Sequence, residues 1–212
     1  MTGDIMSVSR LRMGTDGKGI STLVAFFGCH LHCRYCINEH CHEKRNSSLF
    51  MDKVPRGAFS PEELLKILKK DSIYYLMTEG GVTFGGGEPL IQAEFIKKIC
   101  QKGNPEWNYR IETSLYDRWT NIETLIPFID EWIIDIKDTN SDIYKAYTGR
   151  ANARVFQHLE GLLKRVESEK ILIRLPLIKG FNTVDDVEKS ENMLKSMGVR
   201  RIEKFIYCTD IS

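Results

Sequence analysis

Apolar positions along this chain follow two periods that take turns. Short runs are apolar throughout or alternate, while longer stretches place apolar residues three and four apart. The short runs predict six strands, over 21–27, 82–84, 109–113, 132–137, 171–178 and 202–207. The longer stretches predict helices over 61–70, 91–101, 121–128, 152–167 and 183–197. Ser60, with Glu63 three residues on, marks the first of these as a capped start. Strands and helices in strict alternation imply a parallel sheet with its helices outside, either a partial (β/α)6 TIM-like barrel or an open doubly wound sheet.

The unusual polar residues collect where the strands end. Cys29, Cys33 and Cys36 follow the first strand, and Gly85, Gly86, Gly87, Glu88 and Pro89 follow the second. Glu112 and Thr113 end the third. Asp135 and Lys137 end the fourth, and period-two alternation puts them on one face. Arg174 interrupts the fifth, where a charge among apolar neighbours needs a partner. Cys208 and Asp210 end the sixth. Parallel β/α barrels build their sites at the C-terminal ends of their strands, so this placement favours the partial barrel. Each feature also has a plainer reading: Asp135 and Lys137 as a structural ion pair, the glycines as a sharp strand-to-helix turn.

Composition changes the picture little. The chain has 212 residues, 30 basic against 29 acidic, with 42% apolar, which fits a single domain over 1–212. No basic excess points to nucleic acid, and no apolar run is long enough to cross a bilayer. No apolar stretch of export-signal length occurs in residues 1–19, so the expected setting is a reducing cytoplasm.

The cysteines supply the chemistry. The spacing CxxxCxxC lets one loop offer three thiolates to one face of a cubic iron-sulfur cluster and leaves its fourth iron open. His30, His32, His40, Cys41 and His42 lie nearby, which makes a zinc-stabilised binding module the competing reading. Cys41 and Cys100 are expected to be structural, as is Cys208.

Together, Gly28–Cys36 (GCHLHCRYC) and Thr83–Leu90 (TFGGGEPL) resemble the radical S-adenosylmethionine enzymes. The resemblance implies a [4Fe-4S] cluster on Cys29, Cys33 and Cys36, and S-adenosylmethionine (SAM) on the open iron. It implies reductive cleavage of SAM to a 5′-deoxyadenosyl radical that takes a hydrogen atom from a substrate. It sets Tyr35 near the adenine and Gly86, Gly87 and Glu88 around the methionine amino group.

The segments Asp135–Asn152 and Ile173–Thr183 further resemble the activating enzymes of glycyl radical enzymes, of the pyruvate formate-lyase activating type. In that case Lys137 contacts the SAM carboxylate and Arg174 lies near the cofactor. Asp135, with Glu112 and Thr113, ligates a monovalent cation, Na+ or K+. Glu112 stands where that family carries Asp, and no histidine follows the sixth strand. A cysteine-rich insertion is absent from 37–59, so the resemblance implies one cluster and an electron from flavodoxin or ferredoxin. The partner is then a glycyl radical enzyme. A radical enzyme of the same fold acting on a small molecule is the alternative.

Overall fold

The computed structural model describes residues 1–43 and 57–207. Cys208, Asp210 and part of the 37–59 loop lie outside the described residues. The chain divides into two compact units.

The first unit holds residues 1–29, 38–112 and 117–131. Its strands are β1 (Gly3–Met13), β2 (Ile20–Phe26), β3 (Gly57–Phe59), β4 (Gly81–Gly86) and β5 (Asn108–Thr113, whose last residue belongs to the second unit). They lie in the order β3-β1-β2-β4-β5. β2, β4 and β5 are parallel neighbours, in register from Ser21 opposite Gly81 and Gly81 opposite Asn108. β1 and β3 run antiparallel and are additions to the six strands expected. Helices α1 (Pro61–Leu68), α2 (Ser72–Thr78), α3 (Ala93–Lys102) and α4 (Trp119–Leu125) complete the unit.

Its core follows from the periodicities: Val24, Phe26, Phe84 and Ile111 from the strands meet Leu64, Leu68, Phe95 and Ile99 from the helices, all essentially inaccessible. Phe26 stacks on Phe84 and meets Phe95 edge-on, both at 6.2 Å between centroids. Ser60 closes α1 with the expected capping box, Glu63 answering at 2.8 Å. One buried carboxylate, Asp71, is held by both arms of Arg10 at 2.7 and 2.6 Å. Such a fork compensates burial in a way a single contact does not.

The second unit holds residues 30–37, 113–116 and 132–212. Its strands β6 (Glu131–Asp135, entering it at Trp132), β7 (Ile171–Leu177) and β8 (Arg201–Ile206) are parallel, with Asp135 opposite Arg174 and Arg174 opposite Glu203. Trp132, Ile134, Ile173 and Leu175 pack with Tyr144 and Tyr147 of α5 (Ser141–Thr148), Leu159 and Leu162 of α6 (Ala153–Leu163) and Leu194 of α7 (Val184–Ser196) in its core. Among the described residues no helix is long and apolar enough to cross a membrane.

Candidate active site

In the first unit the glycine turn and the start of the cysteine loop are stitched together. Gly87 N donates to Phe26 O at 3.0 Å, Glu88 N to Gly28 O at 2.7 Å, and Gly28 N to Cys41 O at 2.7 Å. Gly86 turns with φ +92°, and a Cβ on Gly87 would run into the Gly28 carbonyl. The glycines are therefore required by close backbone approach as well as by the turn. Glu88 is 1% exposed, and its carboxylate accepts from Leu90 N at 3.3 Å. Glu112 reaches the same turn, its carboxylate 3.1 Å from where a Cβ on Gly85 would stand. Cys29 is a half-buried thiol.

In the second unit the rest of the cysteine loop lies along the end of α5. His32 N donates to Thr148 O at 3.0 Å, Arg34 N to Tyr147 O at 3.1 Å, and Arg150 Nε to His30 O at 3.3 Å. Asn140 caps α5 through Asp142 N at 2.9 Å, and Gly149 ends it in the left-handed region. Cys33 and Cys36 are half-buried thiols here.

Lys137 is buried, and its Nζ donates to Asp135 at 3.2 Å and stands 5.8 Å from the centre of the Tyr207 ring. Burial by itself pushes the Lys137 pKa down. Asp135, Cys33 and Tyr207 together outweigh it, and the pKa ends above the ordinary lysine value. Tyr35 is exposed and meets Phe181 edge-on at 5.7 Å and Tyr147 at 6.2 Å. Tyr147 in turn meets Phe181 at 5.1 Å and Tyr207 at 6.4 Å. Burial raises the pKa of both Tyr147 and Tyr207, so their hydroxyls stay protonated at neutral pH.

Arg174 finds the partner its position demanded, donating to Glu203 across the β7/β8 pair at 3.2 Å. Thr113 Oγ1 accepts from Leu115 N at 3.0 Å, and the Leu115 carbonyl is held by His158 Nδ1 at 2.9 Å. Behind Lys137, Asp138 accepts from Asn140 N, Asn182 Nδ2 and Ser190, which ties the turn after β6 to the start of α7.

Sequence reasoning missed Tyr147, Phe181, Tyr207, Asp138, Asn182 and His158. Tyr144 and Tyr147, three residues apart after an Asn and before a Gly, were a readable helix signal. The others are recognisable only by what they touch.

The donor set suits an iron-sulfur cluster with an organic cation beside it. Three thiols lie between positions 29 and 36; the first unit offers backbone that admits no Cβ and the buried carboxylate of Glu88, and the second offers the buried ammonium of Lys137. Among the described residues no three His, Cys, Asp or Glu side chains converge on one point, so the fit rests on spacing and chemistry. A zinc site would equally need converging side chains, and no such group of three is found among the described residues; His40 Nδ1 pairs with Glu43 at 2.6 Å, and Cys41 is buried at 2% exposure.

Mostly parallel α/β architecture with this thiol loop and glycine turn defines a redox-cofactor enzyme. The chain belongs to the radical SAM superfamily, whose family model matches residues 23–194. Among curated relatives, it is 34% identical to the (2S)-3-sulfopropanediol dehydratase activating enzyme of Klebsiella oxytoca, over 90% of this chain and 75% of that protein. It is 32% identical to the pyruvate formate-lyase-activating enzyme of Clostridium pasteurianum, over 95% and 79%. Among solved structures, Streptococcus suis SuiB bound to precursor peptide SuiA shares the fold, with TM-score 0.64 and 14% identity over 90% of this chain and 40% of that one. The protein is a radical SAM enzyme, and its family implies a [4Fe-4S] cluster and SAM.

Proposed function

We propose that this enzyme is an activase that removes a Cα hydrogen from one glycine of a partner glycyl radical enzyme. The observation that carries this reading is the similarity over nine-tenths of the chain to proteins named as activating enzymes. Cys29, Cys33 and Cys36 hold the cluster. When bound, the cluster would supply the one-electron reduction by which SAM is cleaved to methionine and 5′-deoxyadenosine as the glycine gives up its hydrogen atom.

The chain's own residues bind and orient. Glu88 receives the SAM ammonium, and the Gly86 and Gly87 backbone admits it without a Cβ in the way. Lys137, kept charged by Asp135, receives the carboxylate. Tyr35, braced by Phe181, offers its ring to the adenine. Arg174, charge-paired with Glu203, completes the cofactor-binding set. Glu112, Thr113 and Asp135 hold a monovalent cation. Asp135, already bonded to Lys137, would also offer its carboxylate to that cation. The electron comes from flavodoxin or ferredoxin, in the cytoplasm.

Anaerobic reconstitution with iron and sulfide, reduction and addition of SAM tests this. Formation of 5′-deoxyadenosine that rises with a partner and matches a glycyl radical signal in electron paramagnetic resonance supports the activase. Cleavage driven instead by a metabolite, with every partner silent, favours the small-molecule reading.

A further inference from the structure

Lys137, two residues past the end of β6, has two partners in the second unit. Its ammonium donates to the Asp135 carboxylate at 3.2 Å, and Nζ lies over the Tyr207 ring, 5.8 Å from its centre. The ring is itself fixed. Tyr207 N donates to Leu177 O at 2.9 Å just past the end of β8, and the ring meets Phe205 at 6.2 Å and Tyr147 edge-on at 6.4 Å. Tyr147 is 1% exposed, and its carbonyl accepts from Arg34 N in the cysteine loop. The ring over Lys137 is therefore tied to the end of α5.

A ring does something there that a second acid would not. Another carboxylate would neutralise the ammonium and compete with an incoming anion, whereas a tyrosine ring at neutral pH has no net charge and attracts the cation through its quadrupole. Lysine's flexible stem leaves Nζ many positions, and acid and ring together narrow them. Asp135 takes one of the three ammonium donors, which leaves others for a ligand. Lys137 is only 8% exposed, so its charge is poorly screened and acts strongly on an anion brought beside it.

We propose that Tyr207 is the positioning residue for Lys137, holding its ammonium in place for the carboxylate of SAM and so favouring ligands that keep the amino-acid end over plain nucleosides. The inference rests on Lys137 receiving that carboxylate, and it holds whatever substrate the radical attacks. No bond forms or breaks at Tyr207, which acts through the lysine. The competing role is a prop for the whole pocket, because Tyr147 also meets Tyr35 at 6.2 Å.

Calorimetry on the reconstituted enzyme tests this with two ligands, S-adenosylhomocysteine, which keeps the amino-acid end, and 5′-methylthioadenosine, which lacks it. Tyr207→Leu is expected to weaken S-adenosylhomocysteine about tenfold and to leave 5′-methylthioadenosine within about twofold, while Tyr207→Phe, which keeps the ring face, restores the parent affinity. In a Lys137→Gln background Tyr207→Leu should cost nothing further, as expected of a residue that acts through the lysine. Progressively fluorinated phenylalanine at position 207 keeps the ring's shape while draining its negative face, so S-adenosylhomocysteine should bind more weakly with each added fluorine. A flat fluorine series overturns the proposal even where Tyr207→Leu does not fold. Equal loss for both ligands also overturns it, in favour of the prop. A different result separates the underlying assignment: if Lys137→Gln alone leaves S-adenosylhomocysteine binding unchanged, Lys137 does not receive the carboxylate, and the positioning role falls with it.

Discussion

Gly87 has no room for a methyl group, because a Cβ would meet the backbone carbonyl of Gly28. Backbone cannot move aside as a side-chain tip can, so Gly87→Ala should break the stitch between the glycine turn and the cysteine loop. We expect a loss of about 2–4 kcal/mol in urea unfolding and poor cluster retention. The thiols divide as sharply. Cys100 is pushed up in pKa by burial, with Asp130 adding to it, and Cys41 is 2% exposed. Iodoacetamide should therefore label Cys29, Cys33 and Cys36 of the cluster-free protein well before Cys41 or Cys100, as peptide mass spectrometry would show. Lys137 holds its proton more tightly folded than unfolded. Its contribution is then complete below the ordinary lysine value of about 10.4 and is lost as pH rises from there through the higher folded value. SAM affinity that falls between pH 7 and about 9 through a lysine-like titration would contradict this, whereas Lys137→Gln should lower it at every pH in that window.

At the scale of elements, α5 is the support for half of the cysteine loop. Asn140→Ala removes a cap worth about 1 kcal/mol. Because the carbonyls of Tyr147 and Thr148 hold the loop, faster hydrogen exchange at His32 and Arg34 should accompany that loss. This helix was not read from the sequence: eight residues give too few turns for the 3.6 period to stand out, and its signal lay instead in the flanking Asn140 and Gly149 and the Tyr144/Tyr147 spacing. β1 was missed for a different reason. Its register slips between Ile5 and Ser7 and again between Ser9 and Arg12, and Leu11 adopts φ 57°, so period-two alternation is broken twice. α2, with the sequence SIYYLMT, is rich in residues that favour strands. The six parallel strands were legible because each is a short run that is mostly apolar or that alternates apolar and polar residues. The capping box on α1 was legible because its two partners are three residues apart. The motif residues could be found from the cysteine spacing and from resemblance to a known family, but the groups that brace them could not: Phe181 behind Tyr35 and Asn182 behind Asp138 depend on contacts between distant segments.

At the scale of the whole molecule, cluster and cofactor are ligands of the folded chain and must stabilise it by mass action. Reconstitution should raise the melting temperature, and SAM at about a hundred times its Kd should add about 2.7 kcal/mol. Triple replacement of Cys29, Cys33 and Cys36 by Ala should abolish both increments while leaving the cluster-free melting temperature nearly unchanged. The near-neutral balance of charge, with apolar side chains exposed on α2 at Ile73, Tyr74 and Met77, predicts modest solubility. The most direct test of the activase reading follows one hydrogen atom. A partner glycyl radical enzyme carrying glycine deuterated at Cα is mixed anaerobically with the reduced enzyme and SAM, and the 5′-deoxyadenosine is weighed by mass spectrometry. Transfer of the glycine hydrogen predicts one deuterium in the product, appearing in step with the glycyl radical. Abundant 5′-deoxyadenosine without deuterium, across partners that include pyruvate formate-lyase and sulfopropanediol dehydratase, would contradict it.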